Sequence, residues 1–160
     1  MLRKLYALVC KYKNKFFILL IIMRYRNRIK LGKIQFRKNF IIMIREGFLQ
    51  IGNGTCFNNN CSINCMGSIK IGDNCLFGES VKLYDHNHIY SDPYKNIIEQ
   101  GFNIGKIEIG NNCWIGSNVT ILNNVTVGDN VIIGANSLIY KSIPSNTIVK
   151  CKSEIVITSR

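Results

Sequence analysis

From Ile109 onward an aliphatic residue returns at every sixth position: Ile109, Ile115, Ile121, Val127, Ile133 and Ile139. The next residues read Gly110, Gly116, Leu122, Gly128, Gly134 and Tyr140, and the fifth positions are Cys113, Val119, Val125, Val131, Ser137 and Ile143, mostly small or β-branched. A period of six drifts around a 3.6-residue helix, which the glycines would also weaken, so this pattern does not describe a helix. It does describe short strands. If each hexad forms one strand and one turn, the aliphatic residue points inward and glycine serves the tight corner. Three hexads then close a triangular coil, and stacked coils bury one another's faces as a parallel solenoid. The pattern leaves the hand of the coil open, since ordinary parallel crossovers are right-handed.

The same phase occurs earlier at Ile51-Gly52 and Phe57, and at Ile71-Gly72, Phe77-Gly78 and Leu83. It is interrupted twice. Ile63 to Ile71 is two residues longer than a hexad, which predicts a corner insertion. Between Leu83 and Ile109 the phase lapses, and Pro93, Gly101 and Gly105 predict a loop over 89–106; long loops in compact domains are usually functional. The solenoid domain is expected over 31–150, with repeats starting near Ile34 and a tail over 151–160 that adds a last short strand. Over 1–30, Leu2, Leu5, Tyr6, Val9, Phe16 and Leu20 lie at loosely helical spacing beside Arg3, Lys4, Lys11, Lys13 and Lys15. These predict a basic amphipathic helix through residue 23, interrupted near Asn14. Arg24, Arg26, Arg28 and Lys30 alternate as on an extended edge.

Composition and charge narrow the picture. With 160 residues, 47% hydrophobic and 19% charged, the chain suits one globular domain. Of the 21 Lys and Arg behind the net charge of +12, thirteen lie in the first 45 residues, where there is no acid. The basic end therefore points to an anionic surface. The motifs of a nucleic-acid module are absent, and nucleic acid is not expected as a partner. Peripheral contact with an anionic membrane is expected instead, each basic residue contributing on the order of 1 kcal/mol. The N-terminal helix would also cap the open end of the solenoid. The apolar run Phe16 to Met23 is far shorter than the roughly 20 residues that span a bilayer. Arg24-Tyr25-Arg26 follows it in place of a cleavage site, so a cytoplasmic protein is expected.

Seven cysteines fit a reducing compartment. Cys61, Cys75 and Cys113 fall at the inward fifth position, where free cysteine serves as a small buried hydrophobe. That reading is preferred over a metal or disulfide cluster of Cys56, Cys61 and Cys65.

Both histidines, His86 and His88, stand beside the break in the repeat. Two apart on an extended segment, they face the same way. With Asp85 and Asp92 they could ligate a metal, but two adjacent histidines poorly match the three separated ones of a γ-type carbonic anhydrase, and no metal is expected. General base catalysis suits them better: an imidazole with pKa near about 6.5 can take a hydroxyl proton at neutral pH. Asp85, Glu79 or a backbone carbonyl could orient the ring, and the role of His86 stays open.

The segment Ile71-Gly-Asp-Asn-Cys-Leu-Phe-Gly-Glu-Ser-Val-Lys-Leu-Tyr-Asp-His-Asn-His88 resembles the galactoside and maltose O-acetyltransferases of the hexapeptide-repeat family. Their catalytic histidine stands seventeen residues after the isoleucine of an I-G-D-N element, the place of His88. Ile109-Gly-Asn-Asn-Cys-Trp-Ile-Gly-Ser-Asn-Val-Thr-Ile121 and the hexads through Pro144 resemble the family's acetyl-CoA-binding coils. The resemblance implies an all-β, left-handed parallel β-helix assembled as a homotrimer with sites between subunits, and acetyl transfer from acetyl-CoA to a sugar hydroxyl. His88 would be the base, with His86 and Asp85 in the catalytic group. Trp114, Ser117, Ala135 and Lys141 would hold the cofactor, and Asn60 and Asp85 the acceptor. The family's G-x-P-A element is replaced by Cys151-Lys-Ser-Glu154, and Asn124 replaces a usual glycine. The basic N-terminus looks more like capsule and O-antigen O-acetyltransferases acting on lipid-linked glycans. Amino-sugar N-acetylation, xenobiotic acetylation and a non-catalytic scaffold are the alternatives.

Overall fold

A computed structural model describes residues 15–150 of the chain. Residues 1–14 of the helix expected through residue 23, and the tail over 151–160 with its altered element, lie outside the described residues. Three parallel sheets form a triangular solenoid of six coils. Sheet A stacks Ile29–Leu31, Phe48–Ile51, Ser68–Ile71, Lys106–Ile109 and Val125–Val127, with Val127 bridging to Ile143 in the last coil. Sheet B stacks Gln35–Phe36, Cys56–Phe57, Leu76–Phe77, Trp114–Ile115, Ile132–Ile133 and Ile148–Val149, and sheet C stacks Ile41–Ile44, Ser62–Cys65, Lys82–Tyr84, Thr120–Ile121 and Leu138–Ile139. The sixfold aliphatic positions all point inward, with Ile115 and Ile121 fully buried.

The corners explain why the chain turns where it does. Asn39, Asn60, Ser80, Asn118 and Asn136 on the corner between sheets B and C all have φ between 56° and 61°, as do Asn74, Asn112, Asn130 and Asn146, at 54° to 60°, between A and B. Asparagine tolerates this left-handed backbone better than other side chains that carry a Cβ. Its amide also links coils: Asn112 Nδ2 donates to Asn130 Oδ1 at 2.9 Å, and Asn130 Nδ2 to Asn146 Oδ1 at 3.0 Å. One residue earlier, a polar side chain accepts the backbone N–H of the preceding coil, as Asp73 does from Asn53 at 2.6 Å and Asn111 from Asp73 at 2.8 Å. Asn124, with φ 61°, fills its glycine-like corner in the same way.

The N-terminal end is closed by a helix at residues 15–25, which continues as a 3-10 turn at Arg26–Arg28. The extended edge expected from the alternation of Arg24, Arg26 and Arg28 is therefore helical, and of that set only Lys30 stands in a strand. Phe17 begins a column of rings, Phe17–Phe36–Phe40–Phe57–Phe77, with centroids 5.1, 5.2, 4.5 and 4.5 Å apart. Ile21 is buried, and Tyr25 Oη donates to the Ile42 carbonyl at 3.2 Å. The helix thus plugs the apolar interior of the first coil. Among the described residues no helix is long and apolar enough to cross a membrane.

The first coil starts at Ile29, ahead of Ile34. Leu31 pairs with Ile51 and Phe36 with Phe57, so this coil is one residue shorter at the A–B corner and falls out of phase. The excursion also differs from a bare loop. It leaves after Tyr84 and returns at Lys106, with a stem in which His86–His88 pairs antiparallel with Phe102–Ile104. Replacing Asn130 with valine forces a β-branched residue into left-handed backbone and removes two amide bonds; a loss of about 1–2 kcal/mol is expected in chemical denaturation. Asn130→Gly, which keeps the backbone freedom, should lose less.

Candidate active site

The excursion brings both histidines to the corner between sheets C and A. Its root is Asp85, fully buried, whose carboxylate accepts the backbone N–H groups of Met66 and Gly67, each at 2.8 Å, and faces His86 Nδ1 at 3.0 Å. The Asp85 carbonyl accepts the Gly105 N–H at 2.7 Å and closes the stem. The two-residue lengthening between Ile63 and Ile71 supplies this corner with the N–H groups that hold Asp85. A carboxylate beside Nδ1 makes that nitrogen the donor, so Nε2 of a neutral His86 is left as an acceptor. His86 is largely covered and His88 is exposed.

Phe102, paired across the stem with His88, organises the rings. Its centroid lies 4.4 Å from His88 and 5.5 Å from His86, and the Arg45 guanidinium carbon lies 5.4 Å from it. Around them opens a cavity of about 460 Å³ whose lining includes Arg45, Asn64, Met66, Ile98 and both histidines. Cys65 lines it too, its thiol pushed up to about 12 by burial and by the adjacent Asp85.

The other expected site residues are spread over the prism. Ser117 and Ala135 stack in successive coils on the B–C corner, where a Cβ built on Gly116 would come within 2.6 Å of the Ala135 nitrogen and the Ser117 hydroxyl accepts the Glu79 N–H at 3.2 Å. Trp114 stands half-exposed on the outer face of sheet B, between Leu76 and Ile132. Lys141 follows the last sheet C strand, its ammonium 5.6 Å from the Tyr140 ring centre. Asn60 belongs to the asparagine column, accepting from Asn39 at 2.9 Å, and does not line the cavity. Asp85, expected both in the catalytic group and at the acceptor, has no exposed surface, and its imidazole partner is His86. Glu79 is engaged by Asn59 at 3.0 Å.

Arg45, Asn64 and Phe102 were not singled out from the sequence. Phe102 had one signal, as the phenylalanine of the excursion over 89–106. Among the described residues no group of three or more His, Cys, Asp or Glu could hold a metal ion.

A family model described as bacterial transferase hexapeptide (six repeats) matches residues 106–141, and one described as hexapeptide repeat of succinyl-transferase matches residues 68–81. Several solved structures share the fold. A hexapeptide-repeat-containing acetyltransferase from Vibrio cholerae O1 biovar eltor, complexed with acetyl coenzyme A, is 27% identical with TM-score 0.64, covering 75% of this chain and 64% of its own. A maltose O-acetyltransferase from Clostridium difficile 630 is 30% identical with TM-score 0.62, covering 74% and 64%. A galactoside acetyltransferase in complex with coenzyme A is 33% identical with TM-score 0.60, covering 71% and 58%. The chain carries hexapeptide repeats and shares the left-handed β-helical fold of these acetyltransferases. It spans 58–64% of the length of these structures.

Burial sorts the thiols. Cys61, Cys65, Cys75 and Cys113 are buried and Cys56 is half-buried; burial also raises the Cys61 pKa. Brief alkylation of the native protein near pH 8, read by peptide mass spectrometry, should modify Cys56 well before these four, and denaturant should remove the difference.

Proposed function

We propose that the chain is an acetyl-CoA-dependent O-acetyltransferase acting on a hydroxyl of a surface-polysaccharide sugar or its lipid-linked precursor. The observation that carries this reading is the histidine pair in a cavity at the break of a hexapeptide solenoid, with His88 at the register of the family's base. The acceptor oxygen attacks the thioester carbonyl while imidazole takes its proton. The tetrahedral intermediate then expels the CoA thiolate, which recovers a proton, so no covalent enzyme intermediate is needed. Asp85 positions: its buried carboxylate ties His86 and the root of the excursion to the coil beneath.

His88 is the proposed base because it is exposed in the cavity. A second reading, with His86 as base, is favoured by its bond to Asp85, which leaves Nε2 free to accept a proton.

The cavity and the Ser117–Ala135 corner lie on different edges of one prism. A homotrimer that sets the C–A corner of one subunit against the B–C corner of its neighbour would bring them together. The exposed ladder Leu76, Trp114, Ile132 and Ile148 on sheet B supports subunit packing on that side. Trp114, Ser117, Ala135 and Lys141 then stand as candidates for holding acetyl-CoA, Lys141 as a point charge for phosphate. The helix at residues 15–25 turns Phe16, Leu19, Leu20 and Met23 outward, an i, i+3, i+4, i+7 stripe in the most basic part of the chain. This supports peripheral attachment to the cytoplasmic face of an anionic membrane.

Acetyl-CoA at 100 times its dissociation constant should stabilise the protein by about 2.7 kcal/mol, read as a melting shift that unrelated nucleotides do not reproduce. No shift would move the scaffold reading forward. With an accepted glycan, His88→Ala should lower kcat by roughly 10²–10⁴-fold while His86→Ala falls less; the reverse order would assign the base to His86. Sedimentation with vesicles should show binding to anionic but not zwitterionic lipid, weakened by Leu19→Ser combined with Met23→Ser.

A further inference from the structure

Among the described residues Arg45 is the one permanent cation on the lining of the histidine cavity, and none of them offers it a carboxylate partner. It follows the sheet C strand Ile41–Ile44, and its carbonyl accepts a bond from Arg28 Nη1, which brings a second guanidinium to the same corner. Contact with the face of Phe102 holds the Arg45 guanidinium through the ring quadrupole. Such a contact uses none of its N–H donors. Among the described residues no carboxylate oxygen lies within 4.0 Å of either guanidinium. Glu46, next in the chain, is exposed and unpaired with it, and both oxygens of Asp85 are taken by Met66, Gly67 and His86.

The lining is therefore cationic and apolar. Met43, Ile98 and Phe102 supply the apolar wall, and the side-chain oxygen and nitrogen acceptors are those of Asn64 and the imidazoles. A neutral sugar hydroxyl can accept from Arg45 but sets no opposite charge beside it. An anionic group matches the planar donor fork of arginine, which binds carboxylate or phosphate through two parallel bonds.

We infer that the acceptor carries an anionic group, a carboxylate or a phosphate, bound by Arg45 in the same cavity where its hydroxyl meets the histidine pair. This rests on the acetyltransferase reading for the reaction but not for the anion subsite. Arg45 thereby selects the acceptor, and Phe102 couples the selecting group to the catalytic ring because both rest on it.

The test compares methyl β-D-glucuronide, methyl β-D-glucoside and glucose 1-phosphate, by calorimetric binding and by acetyl transfer, on the full chain and on Arg45→Gln and Arg45→Lys. One charge-assisted contact is worth about 1.5–3 kcal/mol, so an anionic probe should bind about 10–100-fold more tightly than the glucoside. Arg45→Gln should raise KM for that probe by the same factor but not KM for the glucoside, with the acetyl-CoA melting shift little changed, and Arg45→Lys should recover part of the loss. Preference for the glucuronide assigns a carboxylate, and preference for the sugar phosphate assigns a phosphate. Equal behaviour of all three probes, including no binding by any, overturns the inference, as does an anionic KM indifferent to Arg45→Gln. Arg45-dependent anion binding without transfer to any acceptor would instead sink the acetyltransferase reading and leave the subsite standing. Transfer to the neutral sugar with no role for Arg45 would do the reverse.

Discussion

The structure depends on left-handed backbone at the corners of the coil. Every rung must turn sharply between flat strands, and at each described B–C corner, and at the A–B corners from the second coil onward, the turn passes through a residue with positive φ. Asparagine answers this along two edges of the prism while its amide donates to the equivalent amide one coil away. The same residue type thus sets the turn and the spacing of coils. Strand stacking, the buried aliphatic columns and the close backbone approach at Gly116 all presuppose that spacing. Side chains that add bulk at these corners would have to push coils apart, and the parallel hydrogen bonds of all three sheets would lengthen together.

On this frame the excursion is built rather than merely tolerated. The coils that precede it are lengthened at the C–A corner, and the extra backbone at Met66 and Gly67 turns its N–H groups toward Asp85. A buried carboxylate would be costly without such partners. With them it becomes a fixed point from which the stem projects, and the stem sets His86, His88 and Phe102 in register. The order of dependence runs from corner insertion to carboxylate to stem to ring cluster.

Most of the solenoid was legible in the chain because a six-residue period is a physical statement about strands and corners: Ile109 through Ile139 and the inward cysteines stand where that period puts them. The first coil was less legible, since one residue fewer between Leu31 and Phe36 destroys the phase without disturbing the stack. Local alternation of Arg24, Arg26 and Arg28 lost to helix formation, because Phe17, Ile21 and Tyr25 on that segment gain a place over the open core. At the site, the histidines were visible from their position at the break, but their partners were not. Asp85 is adjacent in sequence to His86, yet its role depends on N–H groups that lie nearly twenty residues away, and Arg45 reaches Phe102 only across two coils. Contacts between coils have no signature in a local pattern. The asparagine columns did have one, a recurrent Asn at the fourth position of the hexads from Asn112 to Asn136.

The excursion also changes the connectivity of the stack. Ile51 pairs with Ile71 across twenty residues, whereas Ile71 pairs with Ile109 across thirty-eight. The entropy of closing a flexible loop grows only logarithmically, by about 0.6 kcal/mol for each doubling of length, so this seam is a lightly loaded joint between two three-coil blocks. Segments of other lengths could be spliced there without loosening either block. The segment beyond the His86–His88 and Phe102–Ile104 stem can therefore vary in length while the coils on both sides keep a common architecture.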